Sequence, residues 1–290
     1  MRRGRSANPR WTMLPKLGVI AGGGQLPSRI VERWRRQGRD VFVIALKGHA
    51  EPRLVEGVAH EWVRLGAGGT TLEVLRREAI SEVVMAGAVR RPSLVDLRPD
   101  MWTAGFLARH GATALGDDGL LRSLIDELET RQSIRVVGID DVLPETLALA
   151  GCLSILEPDR LARDDIARGL IVARGIGALD IGQGAIVQQG FVLAVEAVEG
   201  TDAMLARSRD LARPGPGGVL VKAKKPWQER RADLPTIGPD TVRAAASAGL
   251  RGIAVEAGSV LILDQQETIA AADAAGLFLI GLIIPPDAST

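Results

Sequence analysis

Short apolar runs alternate with helix-length segments along this chain, and that alternation restricts it to a small set of folds. Lys16–Ala21, Val41–Leu46 and Val83–Ala86 read as buried strands, Glu61–Leu65 as an alternating one and Arg135–Ile139 as a further strand. Ser28–Gln37, with Ile30, Val31 and Trp34 on one side, and Thr70–Glu78 have helical spacing. Strands joined through helices imply a parallel sheet with right-handed crossovers, whose ligands gather outside the carboxyl ends of the strands. The second half repeats the pattern. Strands are expected at Ala185–Val187, Phe191–Val195, Gly218–Val221, Gly252–Gly258, Val260–Leu263 and Phe278–Ile284. Helices are expected over Arg160–Leu179, Ala203–Leu211, Thr241–Ala248 and Gln265–Ala275. The turn-formers Ser154–Asp159 mark a boundary, so the expected fold is α/β throughout: a Rossmann-like domain over residues 16–153 and a second α/β domain over 154–290.

Composition narrows the classes of function. A formal net charge of +1 over 290 residues gives no global field toward DNA or an acidic membrane. Aromatics make up 3% and Tyr is absent, which leaves few platforms for stacking single-stranded bases. No apolar run approaches the roughly 18 residues of a spanning helix. The three histidines, His49, His60 and His110, are too scattered for a zinc motif. Any metal is therefore a hard cation on carboxylates, with Mg²⁺ the default. The lone Cys152 forms no intramolecular disulfide, suits a reducing cytoplasm, and in its small-apolar context reads as a buried structural thiol. Residues 1–15 are basic without an apolar core, so they read as a disordered extension, or Met13 as the true start.

The chemistry-bearing motifs sit at strand ends. Gly22-Gly-Gly-Gln-Leu-Pro27 joins a strand to a helix, the layout that offers backbone amides to an anion, although it is neither G-x-G-x-x-G nor a P-loop. A tight turn without a ligand explains it equally well. Gly87–Pro92 brings Arg90 and Arg91 toward the same rim, unless they are merely solvated. In Gly116–Arg122, Asp117 or Asp118 serves either as N-cap of a helix over Gly119–Thr130 or as a substrate or metal ligand, and capping demands less. Asp180-Ile-Gly-Gln-Gly184 pairs an acid and an amide with two glycines. Glu196 interrupts an apolar run, where an unpaired buried charge is costly and solvent or a cation must answer it. Thr201 or Asp202 can cap the helix that follows, and Glu256 is another acid at the end of an apolar strand. The densest stretch is Lys222–Gly238, with five cations, Glu229, Asp233, Gln228 and prolines at 226 and 235 that fix φ and lower the loop's entropy. A solvated basic loop is the plain alternative. Acids, cations and glycine turns without a usable histidine suggest metal-assisted attack of water on phosphorus.

The segments Gly22–Pro27, Gly116–Arg122, Asp180–Gly184, Glu196–Asp202 and Lys222–Gly238, in that order, resemble the UDP-2,3-diacylglucosamine diphosphatases of the lipid A pathway, the cytosolic type unrelated to calcineurin-like phosphoesterases. The resemblance runs from about Lys16 to Ile283, and its second-half motifs are the specific ones. It implies a two-domain α/β enzyme with its active site in the cleft between domains. That enzyme would hydrolyse UDP-2,3-diacylglucosamine to UMP and 2,3-diacylglucosamine 1-phosphate (lipid X) with Mg²⁺, by attack on the lipid-side phosphorus. It would be a cytoplasmic homodimer, at most transiently in contact with the inner membrane. The family's key aspartate lies in its D-L-P-T-I-G segment, which carries over to Asp233 as catalytic residue and metal ligand, with Glu196 and Glu256 as further metal ligands. Lys222, Lys225 and Arg231 would face the pyrophosphate and Gln228 would position it. Gly22, Gly23, Gly24, Gln25, Arg91, Asp117, Asp118, Gln183, Thr201 and Thr236 complete the implied substrate-binding set. One departure stands out: where the family often has Asn-Val-Ser-Arg-Pro, this chain has Ala88-Val-Arg-Arg-Pro92, so any hydrogen bond from that Asn is lost.

Two rivals remain at the level of sequence. A dinucleotide-dependent oxidoreductase would explain the strand–glycine–helix opening, but Ala45-Leu46-Lys47 stands where its acid should follow the second strand. A sugar-nucleotide-binding regulator would use the same loops without turnover.

Overall fold

The computed structural model describes residues 15–90, 94–110, 117–226, 228–231 and 233–284, and at 94, 95, 117 and 118 the backbone alone. The chain forms two compact α/β units. One comprises the residues up to Gly105 with Leu128–Val136, the other Phe106–Glu127 with the residues from Val137 onward.

The first unit is built on five parallel strands: β1 (Leu17–Ala21), β2 (Val41–Leu46), β3 (His60–Val63), β4 (Glu82–Ala86) and β5 (Arg135–Val136), in the order β3-β2-β1-β4-β5. All six residues of β2 are buried, which is what a strand covered on both faces requires of its sequence. Helices α1 (Leu26–Arg36) and α2 (Gly68–Arg77) connect the strands, and α3 (Leu94–Leu97), α4 (Met101–His110) and α5 (Asp117–Gln132) follow β4. Strand order reverses at β1, since the chain runs outward to β3 and then returns to β4 on the other side. The turns after β1 and β4 therefore flank the crevice in which such sheets hold ligands.

The second unit carries a six-stranded sheet and more of the chain's helices. Its elements are α6 (Ile139–Val142), β6 (Gly151–Cys152), α7 (Arg160–Ala178), β7 (Gly184–Gln188), β8 (Phe191–Val195), α8 (Gly200–Ser208), β9 (Val219–Lys222), β10 (Thr236–Ile237), α9 (Pro239–Ser247), β11 (Gly252–Glu256), β12 (Leu261–Ile262), α10 (Gln265–Ala275) and β13 (Phe278–Leu282). The order is β6-β13-β11-β9-β7-β8, with β13, β11 and β9 parallel and β6 and β7 antiparallel to their neighbours. Strands β10 and β12 form a separate parallel pair. Helix α7 packs on β7 and β9 so closely that a Cβ on Gly169 would lie 2.5 Å from Val221 Cγ2. Another core layer gathers Met204, Leu205, Val242 and Ala245 from α8 and α9 with Ile186, Leu220 and Ile253 from the sheet. Each such Leu, Ile or Met contributes roughly 1.5–3 kcal/mol by leaving water.

Three expectations are corrected by the fold. Cys152 lies on the short edge strand β6 and is exposed, because β13 covers only one side of it. Helix α5 begins at Asp117, so Asp117 and Asp118 both fall inside its first turn rather than at its cap, and their side chains lie outside the described residues. Helix α8 begins at Gly200, which places Thr201 within the helix and leaves Glu199 at the cap position. Among the described residues no helix is long and apolar enough to cross a membrane.

Candidate active site at the carboxyl end of β9

Strand pairing gathers the second-half motifs at one edge of the six-stranded sheet. Lys222 ends β9 opposite Gly184 at the start of antiparallel β7, and Ala185 in turn faces Val195 at the end of β8. Glu256 ends the parallel strand β11. The chain from Ala223 to Pro235 is thus launched from an edge already occupied by the ends of three other strands.

The innermost group is Lys222, Thr201 and Glu196. The Lys222 ammonium, in a residue only 4% exposed, donates to Thr201 Oγ1 at 2.6 Å and to the Thr236 carbonyl at 3.3 Å. Thr201 donates to Glu196 Oε1 at 2.7 Å, and the ammonium lies 3.8 Å from the same oxygen. Lys222 is the cation that buried Glu196 requires, and it ties α8 and β10 to the end of β9. The ammonium points into the protein, so its part is to hold the frame from which the loop over residues 223–235 starts. Glu196 Oε2 is buried without a hydrogen-bond partner among the described residues.

The two glycines of the Asp180–Gly184 motif follow from this packing. A Cβ on Gly182 would stand 2.0 Å from the Glu196 carbonyl oxygen, and one on Gly184 2.7 Å from Glu196 Oε2. Only glycine lets these backbones approach the acid. Asp180 at the start of the motif accepts from Lys225 Nζ at 2.6 Å. Gln183 offers its backbone carbonyl to the Ala223 amide at 3.0 Å and its side-chain oxygen to Gln228 Nε2 at 3.3 Å.

Gln228 is the hinge pin of the loop. It is buried, its Nε2 donates to Asp233 Oδ2 at 2.6 Å, and its Oε1 accepts the Lys225 amide at 3.1 Å. The Asp233 amide donates to the Glu229 carbonyl at 3.1 Å, closing a short turn. Glu229 and Arg231 form a local pair, with Arg231 Nε and Nη2 on Glu229 Oε1 and Oε2 at 2.9 and 3.1 Å. The Arg231 hydrogen bonds hold the Glu229 carboxyl below its ordinary value, against the opposing effect of burial and with help from the charge of Arg122. Arg230 anchors the loop's far side on Asp140 Oδ2 at 3.0 Å and the Gly258 carbonyl at 2.9 Å. Glu256 Oε2 accepts the Lys224 amide at 2.9 Å. Thr236 lies in β10, its hydroxyl turned back to the Leu234 carbonyl at 3.1 Å.

The structure thus brings Asp233, Gln228 and Gln183 into one network, and Glu196, Thr201, Lys222 and the Thr236 backbone into another. The three acids expected to share a metal are separated by function: Glu196 answers Lys222, Glu256 fixes the Lys224 amide, and Asp233 is held by Gln228. Among the described residues, no group of three or more His, Cys, Asp or Glu side chains is placed to hold a metal ion. The pairs Asp180–Lys225 and Asp140–Arg230 were not singled out by sequence reasoning as site contacts. Their signal was present in the acids at the ends of a helix and a strand, but the partner of each lies 45 or 90 residues away.

In the first unit the glycine turn is more committed than its sequence suggests. The Gly22 amide donates to the Ala86 carbonyl at 2.8 Å, and Gly23 and Ala88 exchange two bonds at 2.8 and 2.9 Å. The amides expected to cradle an anion are therefore spent at positions 22 and 23, and the cradle reduces to Gly24 and the cap position of α1 at Gln25, whose side chain makes no capping bond. Arg91 lies outside the described residues.

Two family models match the chain: the LpxI N-terminal domain over residues 16–146 and the LpxI C-terminal domain over residues 149–280. A protein of Caulobacter vibrioides named UDP-2,3-diacylglucosamine pyrophosphatase LpxI is 44% identical over 274 residues, which cover 92% of this chain and 97% of that one. Among solved structures, a CobK precorrin-6A reductase is 13% identical with a TM-score of 0.33, covering 94% of this chain and 90% of its own. The UDP-glucose 4-epimerase of Thermus thermophilus, in complex with NAD, is 16% identical with a TM-score of 0.30, covering 95% and 88%. Likenesses this remote carry no argument.

Proposed function

Because the chain belongs to the LpxI family along both of its halves, we propose that it hydrolyses the diphosphate of UDP-2,3-diacylglucosamine to UMP and 2,3-diacylglucosamine 1-phosphate in a Mg²⁺-dependent reaction. The observation that carries this reading is the 44% identity, over nearly all of both chains, to a UDP-2,3-diacylglucosamine pyrophosphatase. The geometry around Asp233 supports it.

Asp233 orients the attacking water and accepts its proton as the new bond to the lipid-side phosphorus forms. The bond from that phosphorus to the bridging oxygen breaks, and UMP leaves. Gln228 holds the acid by the 2.6 Å bond to Oδ2, so orientation is set before substrate arrives. Lys224, Lys225 and Arg231 place positive charge along the same loop, where it offsets the charge gathering on the leaving phosphate. Mg²⁺ takes one or two carboxylates together with substrate phosphates more often than an all-protein cage, so a single carboxylate at Asp233 plus the diphosphate oxygens suits it. When bound it would neutralise diphosphate charge. The same reading makes the protein a cytoplasmic homodimer that touches the inner membrane while drawing its lipid substrate, and sedimentation of the purified chain with and without vesicles tests both points.

The test of the activity is UMP release from UDP-2,3-diacylglucosamine, with an undiacylated UDP-sugar as control. Release should require Mg²⁺, stop with a chelator and resume on adding the metal back. Asp233→Ala should fold normally and lose turnover. Absence of UMP release from the diacylated substrate, or turnover in Asp233→Ala equal to the parent, would sink the assignment.

A further inference from the structure

Helix α7 ends on a residue that does not suit a helix end, and the side chain of that residue reaches the Asp233 loop. The Asp180 amide donates to the Gly177 carbonyl at 3.0 Å and the Ile181 amide to the Ile176 carbonyl at 2.9 Å. This closure puts the residue after the cap, Leu179, in the left-handed region. Helices α1, α9 and α10 close by the same pair of bonds and place Gly38, Gly249 and Gly276 there. In α7 the position holds Asp180 at φ +54°. Helix α2 also lacks glycine there, but its Ala79 has no side chain with which to reach a partner. An aspartate is unfavourable on two counts: a Cβ strains left-handed backbone, and a carboxylate stands at the negative end of the helix dipole. Glycine would avoid both.

The side chain is used on Lys225. Asp180 Oδ1 accepts from Lys225 Nζ at 2.6 Å. The helix end lies against the same residue, since a Cβ on Gly177 would stand 3.3 Å from Lys225 Cα and 3.4 Å from Pro226 Cδ. Lys225 and Gln228 then hold each other twice, the Lys225 amide on Gln228 Oε1 at 3.1 Å and the Gln228 amide on the Lys225 carbonyl at 3.2 Å. Gln228 Nε2 continues to Asp233 Oδ2 at 2.6 Å. An unbroken run of contacts, all within the second unit, therefore leads from the end of a 19-residue helix to the acid. The Asp180 side chain is 32% exposed, and an ion pair so open to water adds little stability, so what it supplies is geometry.

We propose that Asp180 is a positioning residue: through Lys225 and Gln228 it fixes the place of Asp233, and the strained end of α7 serves that purpose. The inference rests on the hydrolase reading for what Asp233 does.

Asp180→Gly and Asp180→Asn test it in the full chain, by thermal unfolding, by amide hydrogen exchange over residues 223–235, and by kcat and KM for UMP release from UDP-2,3-diacylglucosamine. Both variants should keep or raise the unfolding midpoint, since glycine and asparagine suit left-handed backbone and neither opposes the helix dipole. The Lys225, Gln228 and Asp233 amides should exchange about tenfold faster, and kcat should fall about tenfold with KM changed by less than about twofold. In a Lys225→Met background, Asp180→Asn should add nothing to either loss. Exchange unchanged in both variants overturns the proposal, as does a midpoint that falls together with kcat in both. A full effect of Asp180→Asn once Lys225 is gone overturns it as well. A parent that turns over while both variants match its kcat sinks Asp180 alone. A parent that releases no UMP sinks the hydrolase reading, and the exchange results then decide by themselves whether Asp180 holds the loop.

Discussion

The side-chain amide of Gln228 spans Asp233 and Lys225, donating to the acid's Oδ2 at 2.6 Å and accepting the lysine's backbone amide at 3.1 Å. Replacing Gln228 by Ala should lower kcat about tenfold, as loss of a supporting hydrogen bond commonly does, and leave KM less affected. Gln228→Glu should do more harm despite matching in size. Two carboxylates at that separation share a proton, so the acid limb of the pH–rate profile should move upward. A profile unchanged in Gln228→Glu would show that the contact does not bear on Asp233.

Lys222 and Glu196 stabilise the second unit only as a pair. Lys222→Met leaves a buried carboxylate with no cation and should cost about 3–5 kcal/mol in urea unfolding. Adding Glu196→Gln removes the stranded charge and should restore most of that loss. A double variant no more stable than Lys222→Met would mean that the ion pair is not what Lys222 contributes.

Arg231 keeps the Glu229 carboxyl below its ordinary value. A depressed carboxyl contributes stability that is fully present above the unfolded-state value and is lost as pH falls through the folded-state one. The stability difference between the parent and Arg231→Ala should therefore be flat at neutral pH and shrink as the pH falls below the carboxylate range. Denaturant titrations at stepped pH values check this, and a gap that widens toward acid would contradict it.

Two glycines should respond in opposite directions. Gly182→Ala places a methyl 2.0 Å from the Glu196 carbonyl oxygen, so backbone must move and stability should fall by about 1–3 kcal/mol or more, with activity following. Gly175 lies within α7 with nothing within 4 Å of its added Cβ, and Gly175→Ala should gain about 0.5–1 kcal/mol from helix propensity. Thermal unfolding of the two variants separates packing at the site from general intolerance of the fold.

Much of this fold is written in local pattern. Periodicity places β2 at Val41–Leu46, β8 at Phe191–Val195 and α10 at Gln265–Ala275 with the ends the structure has, because each is bounded by turn residues and patterned on one period. The ends of α5 and α8 are shifted, since Asp, Thr and Glu near a helix start serve equally inside the first turn and at the cap. Cys152 misleads because exposure depends on which strand arrives beside it, and β13 is more than 120 residues away. At the site, the acid within an apolar run called for either solvent or a cation at Glu196, and the structure places the Lys222 ammonium 3.8 Å from it. That the cation is Lys222, turned inward, depends on pairing between β7, β8 and β9 that no local spacing reveals. The glycines at 182 and 184 are legible as turns, but their reason is the close approach of Glu196.

Strand β13 lies between β6 and β11, so a late segment of the chain is an interior member of the second sheet. During synthesis the edge strand β6 emerges early and has no neighbour until Phe278–Leu282 leaves the ribosome. The second unit therefore cannot pair β6 into its sheet until β13 has been made. A nascent chain halted before residue 278 would carry an unpaired segment at 151–152 and an open flank on β11, a form that chaperones and proteases recognise.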